Sequence, residues 1–297
     1  MNVIAQVAPQ QASPVRPQPR GYWHKVGRRV LRDPTALVCI AILTLIILAA
    51  IFAPWISPDD PYKTSMLRRL KPPFTPGHIL GTDELGRDML ARLIYGGRVS
   101  LAMGLAPVAV ATLIGGGLGV CAGYFGRHVN SVIMRIVDVF YAFPSVLLAV
   151  AMAGALGAGI FNSLISLILV FIPPIARVAE SVTTQIRNQD FIEAARATGA
   201  SAGRIIVQHV LANVTGPILT YASSLVSVAI IIAAGLSFLG LGASPPTADW
   251  GLMLNTLRQA IYVAPVNAVL PGVMIFAASV SFNLLSDSLR SAMDIRT

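Results

Sequence analysis

Six stretches of nearly unbroken apolar residues, separated by shorter polar segments, set the pattern along this chain. They run from about Ala36 to Ile56, Val99 to Phe125, Ile136 to Leu156, Ile160 to Ala176, Val214 to Leu241 and Ala268 to Leu285. Each approaches or exceeds the roughly 20 residues a helix needs to cross a bilayer core of about 30 Å. The pattern predicts an all-α integral membrane protein with six transmembrane helices. Pro107 and Gly115–Gly117 interrupt the second span, Pro144 the third, and the pair Pro173–Pro174 closes the fourth. Such residues are tolerated where neighbouring helices satisfy the loosened backbone, and small residues let helices approach closely.

Composition agrees with that class. The 297 residues have a mean hydropathy of +0.71, with 55% hydrophobic and 12% charged residues, about half the charge of a soluble domain. The net charge of +9 would suggest nucleic acid in a soluble protein. Here the basic residues flank apolar spans and report topology instead. With the N-terminus inside, the inner segments 1–35, 126–135, 177–213 and 286–297 hold six, two, four and two Lys or Arg residues, against seven and one in the outer segments 57–98 and 243–267. The expected orientation is therefore N-in/C-in. The first 20 residues, MNVIAQVAPQQASPVRPQPR, lack an apolar core and read as a disordered tail rather than a signal peptide.

Between the fourth and fifth spans lies AESVTTQIRNQDFIEAARATGASAGRIIVQHVLAN, which reads as two short helices. Asp190 is the expected N-cap of the first, with Glu193 at the third helical position. Ala194, Ala195 and Ala197 favour helix without bulk, and Gly199 ends it. The second helix runs from about Ala202 into the fifth span. A short, smooth helix of this kind admits close approach by another body.

The chain carries no phosphate-binding G-x-x-x-x-G-K-[ST], no H-E-x-x-H and no G-x-S-x-G sequence, and its four His residues are scattered. No catalytic or metal-binding residues are assigned. Cys39 and Cys121 lie inside apolar runs and read as small buried hydrophobes. Asp138 is the evident acid inside a span. Arg135 stands one turn earlier, so a local pair between them is the expected arrangement, with a gating or pathway role as the alternative. Pro144, Pro173 and Pro174 are the other candidate gating or pathway residues.

Glu193-Ala194-Ala195, three residues, then Gly199 resembles the Glu-Ala-Ala loop of the permease subunits of ABC importers. The closing positions, His209 to Ala212, lack the usual Ile and Pro of that loop. HILGTDELGRDMLARLIYGGRVSL (residues 78–101) and GLSFLGLGASPPTADWGLML (residues 235–254) are similar to segments of the dipeptide/oligopeptide/nickel C-type permeases. The resemblance reaches from about residue 33 to the C-terminus. It implies the type I ABC importer permease fold in the bacterial inner membrane. It divides the chain into a cytoplasmic disordered tail and basic flank (1–35), an N-terminal transmembrane helix with a periplasmic loop (36–94), a five-helix importer domain with its cytoplasmic coupling loop at 177–213 (95–287), and a cytoplasmic tail (288–297).

The resemblance also assigns roles. Glu193, Ala194, Ala195 and Gly199 would couple to an ATPase, and the loop bearing Asp83, Glu84, Arg87 and Asp88 would face a binding protein. The implied partners are a second related permease, two cytoplasmic ATPase subunits and a periplasmic solute-binding protein, within the lipid bilayer and without nucleic acid. No cofactor is expected on this chain; ATP and Mg would be used by the ATPase subunits. The implied cargo is a di- or oligopeptide or a related compound. A stand-alone ion-coupled secondary transporter, with Asp138 as its coupling group, is the competing class.

Overall fold

The computed structural model describes residues 22–57 and 59–293; the tail at 1–20 lies outside them. The described chain is helical, with isolated β-bridges at Thr75–His78 and Thr82–Asp88. Its helices are α1 (Tyr22–Val30), α2 (Pro34–Ile51), α3 (Ala53–Ile56), α4 (Met89–Phe125), α5 (Arg127–Tyr141), α6 (Ser145–Leu156), α7 (Ile160–Ile186), α8 (Asp190–Ala197), α9 (Ala202–Ile205), α10 (Leu211–Phe238), α11 (Trp250–Leu257) and α12 (Pro265–Met293). Five are long and apolar enough to span a membrane, or six when the α5–α6 pair is taken as one broken span.

Local chemistry explains most boundaries. Asp33 caps α2 by accepting from the Thr35 amide, with Pro34 at the first helical position. Asp88 caps α4 by accepting from the Ala91 amide at 2.8 Å. Helix α4 ends at Gly126, whose φ of +63° suits glycine. At 37 residues, α4 is about 55 Å long, more than a bilayer core requires, so it carries its first turns beyond the core.

Four spans depart from the hydropathy reading. The third is two helices meeting at 86° around residues 142–144, with Pro144 immediately before α6. The fourth passes through Pro173–Pro174 and continues to Ile186, so Arg177 lies inside a helix rather than in a loop. The sixth extends to Met293, across the expected start of a tail at 288. Helix α4 begins at Met89 and crosses the expected boundary at 94–95 in the same way. Within the basic flank, Tyr22–Val30 forms α1.

Helices α4 and α7 make the tightest contact in the bundle. Gly115, Gly119 and Gly123, four residues apart on one face of α4, lie against Ile172, Ala176, Ala179, Glu180 and Thr183 of α7. A Cβ on Gly115 would stand 2.6 Å from the Ile172 carbonyl, and one on Gly123 would stand 2.7 Å from Thr183 Cβ. Small residues at a four-residue interval bring two backbones together without a hydrophobic driving force between them. Within the run Gly115–Gly117, only Gly115 serves this contact; Gly117 faces open space.

Candidate functional site

The end of the bundle that carries α8 is built by four helices. Asn130 of α5 donates to Glu180 Oε1 of α7 at 2.6 Å. Arg187, just past α7, donates to the Gly123 carbonyl of α4 at 3.2 Å. Helix α8 is pinned here from its inner side. Ile192 is fully buried, Ala195 packs half-buried against the core, and the Arg196 guanidinium lies over the Tyr124 ring of α4 at 5.4 Å. Asp190, Glu193, Ala194 and Ala197 are exposed. Their spacing of three, four and seven residues places them on one stripe. The outward face of α8 is thus acidic at its front and smooth behind.

The terminus of α8 is closed by backbone hydrogen bonds. Gly199 donates to the Arg196 carbonyl at 3.0 Å and Ala200 to the Ala195 carbonyl at 3.2 Å, with Gly199 at φ +79°. This is the six-to-one, five-to-two closure of a Schellman motif. At the other terminus the expectation is corrected by one residue. Gln189 holds the extended cap conformation, while Asp190 is the first helical residue and makes no capping bond. Both acids still stand in the first turn, where negative charge suits the helix dipole. Ala195 points toward the bundle and sets the distance of α8 from it, whereas Glu193, Ala194 and Gly199 remain exposed.

At the α5–α6 bend a cavity of about 300 Å3 opens. Its walls include Tyr141, Phe143, Phe171, Pro173, Pro174 and Tyr221. Asp138 and Arg177 meet beside it, with Arg177 Nη2 donating to Asp138 Oδ1 at 2.5 Å. The side chains are 51% and 46% exposed, respectively. The Arg177 guanidinium also lies over the Tyr141 ring at 4.8 Å. The local pair expected between Asp138 and Arg135 is replaced by this link from α5 to α7. Because the hydropathy reading ended the fourth span at Ala176, it counted Arg177 among loop residues and missed the partner.

At the opposite end, residues 59–88 fold over the start of α4 around a buried charge network. Arg87 donates through Nε to Asp83 Oδ2 at 2.6 Å and through Nη2 to Glu84 Oε1 at 2.8 Å. Arg92 reaches the Pro61 carbonyl at 3.2 Å and the Pro246 and Thr247 carbonyls at 3.4 Å. Its Nε stands 3.3 Å from Asp83 Oδ2, close enough for ion pairing but out of hydrogen-bond alignment. His78 is held between Asp88 Oδ2 at 2.8 Å and Arg68 Nη1 at 3.2 Å. Arginine only donates, so the Nε2 facing it accepts and the ring proton sits on Nδ1, toward Asp88.

Asp83, Arg87 and Asp88 are 1%, 4% and 6% exposed. These side chains, with the half-buried Glu84, shape the loop from within through their ion pairs and hydrogen bonds. The exposed surface of this end mixes the apolar Leu67, Phe74 and Tyr262 with the charged Asp59, Asp60, Lys63, Arg69 and Lys71.

The comparisons with known proteins agree with this geometry. Residues 115–297 match the family described as binding-protein-dependent transport system inner membrane component. Residues 21–73 match the N-terminal TM domain of oligopeptide transport permease C. The chain belongs to this family of inner-membrane permease components. It is 40% identical to the dipeptide transport system permease protein DppC of Alkalihalophilus pseudofirmus over 272 residues, 92% of this chain and 89% of the relative. It is 41% identical to the glutathione transport system permease protein GsiD of Escherichia coli over 277 residues, 93% of this chain and 91% of the relative. Among solved structures, the MetNI methionine ABC transporter in an inward-facing conformation matches with a TM-score of 0.56 at 20% identity, over 69% of this chain and 97% of that one. That likeness supports the type I importer permease architecture.

Proposed function

We propose that this chain is one of two related permease subunits of an ATP-driven importer that carries a short peptide or a related solute inward. It lies N-in/C-in. ATPase subunits, which hold and hydrolyse Mg-ATP, dock on α8, and a solute-binding protein delivers cargo at the end formed by residues 59–88. The observation that carries this reading is α8 itself. An acidic, smooth stripe faces outward, while Ile192 and Arg196 fix the helix to the bundle, so a push on the stripe is transmitted to α4. Kinship with dipeptide and glutathione permeases supports the solute class. The exposed apolar residues Leu67, Phe74 and Tyr262 support protein contact at the opposite end. Membership in the binding-protein-dependent permease family weighs against the ion-coupled carrier.

The test is co-purification of the tagged chain from its native membrane, beside the Glu193→Lys variant. Wild type is expected to bring a second permease and ATPase subunits, and the variant to lose the ATPases while still inserting. A chain that purifies alone, or ATPases that stay bound to the variant, would overturn the reading.

A further inference from the structure

The Asp138–Arg177 pair is unusual in its setting. Arg177 follows Ala176, whose carbonyl lies against Gly119 of α4. Helix α4 runs six residues beyond Gly119 to Phe125, so the pair is about 9 Å inside the end of that helix along its axis. Around it the surface is apolar and exposed, including Ile136, Val139, Phe143 and Leu147. Arg177 stands on a helix long and apolar enough to span a membrane, and Asp138 on the broken α5–α6 span, where charged side chains face a bundle interior or a water-filled cavity rather than lipid. The aromatic cavity opens beside the pair, and Tyr141 belongs to both, lining the cavity while lying under the Arg177 guanidinium.

We propose that Arg177 and Asp138, with Tyr141, form a subsite for the two charged termini of a zwitterionic solute on the translocation path. The proposal rests on the importer reading and names the residues and solute chemistry of that path. Arg177 offers a planar fork suited to a carboxylate, and Asp138 offers an acceptor for an ammonium group. A solute carboxylate takes Arg177 from Asp138, and the solute ammonium takes Asp138. Every charge is paired before and after, so the exchange avoids the penalty of an unpaired charge in an apolar setting. Because the resting pair is about half exposed, it is weakly held and opens readily. The cavity of about 300 Å3 lies at the small end of the range for ligand sites, and its aromatic walls accept apolar side chains between the termini. Tyr141 lines that cavity while holding Arg177 by its ring face, and so joins the charged and apolar parts of the subsite.

The experiment uses the complete assembly in liposomes, with binding protein saturated by trialanine, N-acetyl-trialanine or trialanine amide. Affinity of the binding protein for each is measured separately. Wild-type uptake is expected to favour free trialanine. Arg177→Gln should slow free trialanine about tenfold, the loss typical of one charge-assisted contact, while leaving the amide at its wild-type rate. Asp138→Asn should slow free trialanine and spare the N-acetyl form. Co-purification of the ATPases excludes misassembly in either variant. An equal slowing of all three peptides would show a structural strut and overturn the subsite alone. Wild-type uptake indifferent to blocked termini would do the same. A wild-type assembly that moves none of these peptides while still binding ATPases would overturn the peptide cargo and the subsite together.

Discussion

The Arg196 guanidinium of α8 lies 5.4 Å from the centre of the Tyr124 ring, one residue before the end of α4. Two elements distant in sequence are joined there by a side-chain contact, which on the importer reading passes movement of α8 to α4. Helix α4 in turn packs along α7 through its glycines, so displacement of α8 is passed to the two most closely packed helices. A partly exposed cation–π contact contributes about 0.5–1 kcal/mol. Arg196→Gln, which removes the cation and leaves the buried Tyr124 in the core, is therefore expected to leave insertion and ATPase binding intact but to reduce stimulation of ATP hydrolysis by the loaded binding protein, measured in proteoliposomes. Stimulation equal to wild type would show that force passes to α4 by another route.

Gly199 makes a separate prediction. A Cβ there would meet nothing within 4 Å, yet φ is +79°. The cost of substitution is backbone strain alone, of order 1–2 kcal/mol for a non-glycine residue in this region and more for a β-branched one. Gly199→Val is expected to undo the Schellman closure, shift the outward face of α8, and release the ATPase subunits from the purified complex. Gly199→Asn, which tolerates positive φ, should retain most of them. Equal retention by both variants would show that the turn geometry is not what the ATPase reads.

The legible and illegible parts of this chain divide along physical lines. Long apolar runs announce spans because every backbone group in the bilayer must bond internally, and the short helix at Glu193 with its Gly199 turn stands where the sequence puts it. The sixth helix ran past its apolar segment because packing, not hydropathy, sets its end. Pro173–Pro174 suggested a helix stop, whereas neighbouring helices let α7 continue. That one misplacement hid Arg177, and with it the partner of Asp138. The network of Asp83, Arg87, Asp88 and Arg92 was equally hidden. Charge in a loop reads as surface charge until the loop is seen folded over the helix beneath it.

Arg92 is the clearest test of that hidden network. It is 1% exposed and ties the start of α4 to Pro61 in one loop and to Pro246 and Thr247 in another. Removing one partner of a buried ionic group leaves the rest uncompensated, typically at about 3–5 kcal/mol. Arg92→Ala is expected to lower the unfolding temperature in detergent and to expose residues 59–88 to protease. Arg92→Lys, with the charge but not the fork, should fall between. Protease resistance equal to wild type in the Ala variant would show that the loop is held by its other contacts, such as Asn267 on the Lys71 and Thr82 carbonyls.

The glycine seam between α4 and α7 allows a paired prediction on one helix. Gly119 and Gly117 are two residues apart, and hydropathy gives them the same standing. A Cβ on Gly119 would collide with the Ala176 carbonyl and stand 2.6 Å from Ala179 Cβ, whereas one on Gly117 would meet nothing within 4 Å. Overpacking a close contact costs about 1–3 kcal/mol, and here the obstacle is backbone that cannot rotate away. Gly119→Ala is expected to lower the midpoint of thermal unfolding in detergent and to reduce uptake, because α4 and α7 must separate to admit the methyl group. Gly117→Ala should match or slightly exceed wild-type stability, since alanine in a helix interior is favoured over glycine by roughly 0.5–1 kcal/mol. Equal effects at the two sites would mean that α4 faces α7 in a different rotation, and the placement of Arg177 relative to the cavity would have to be redrawn with it.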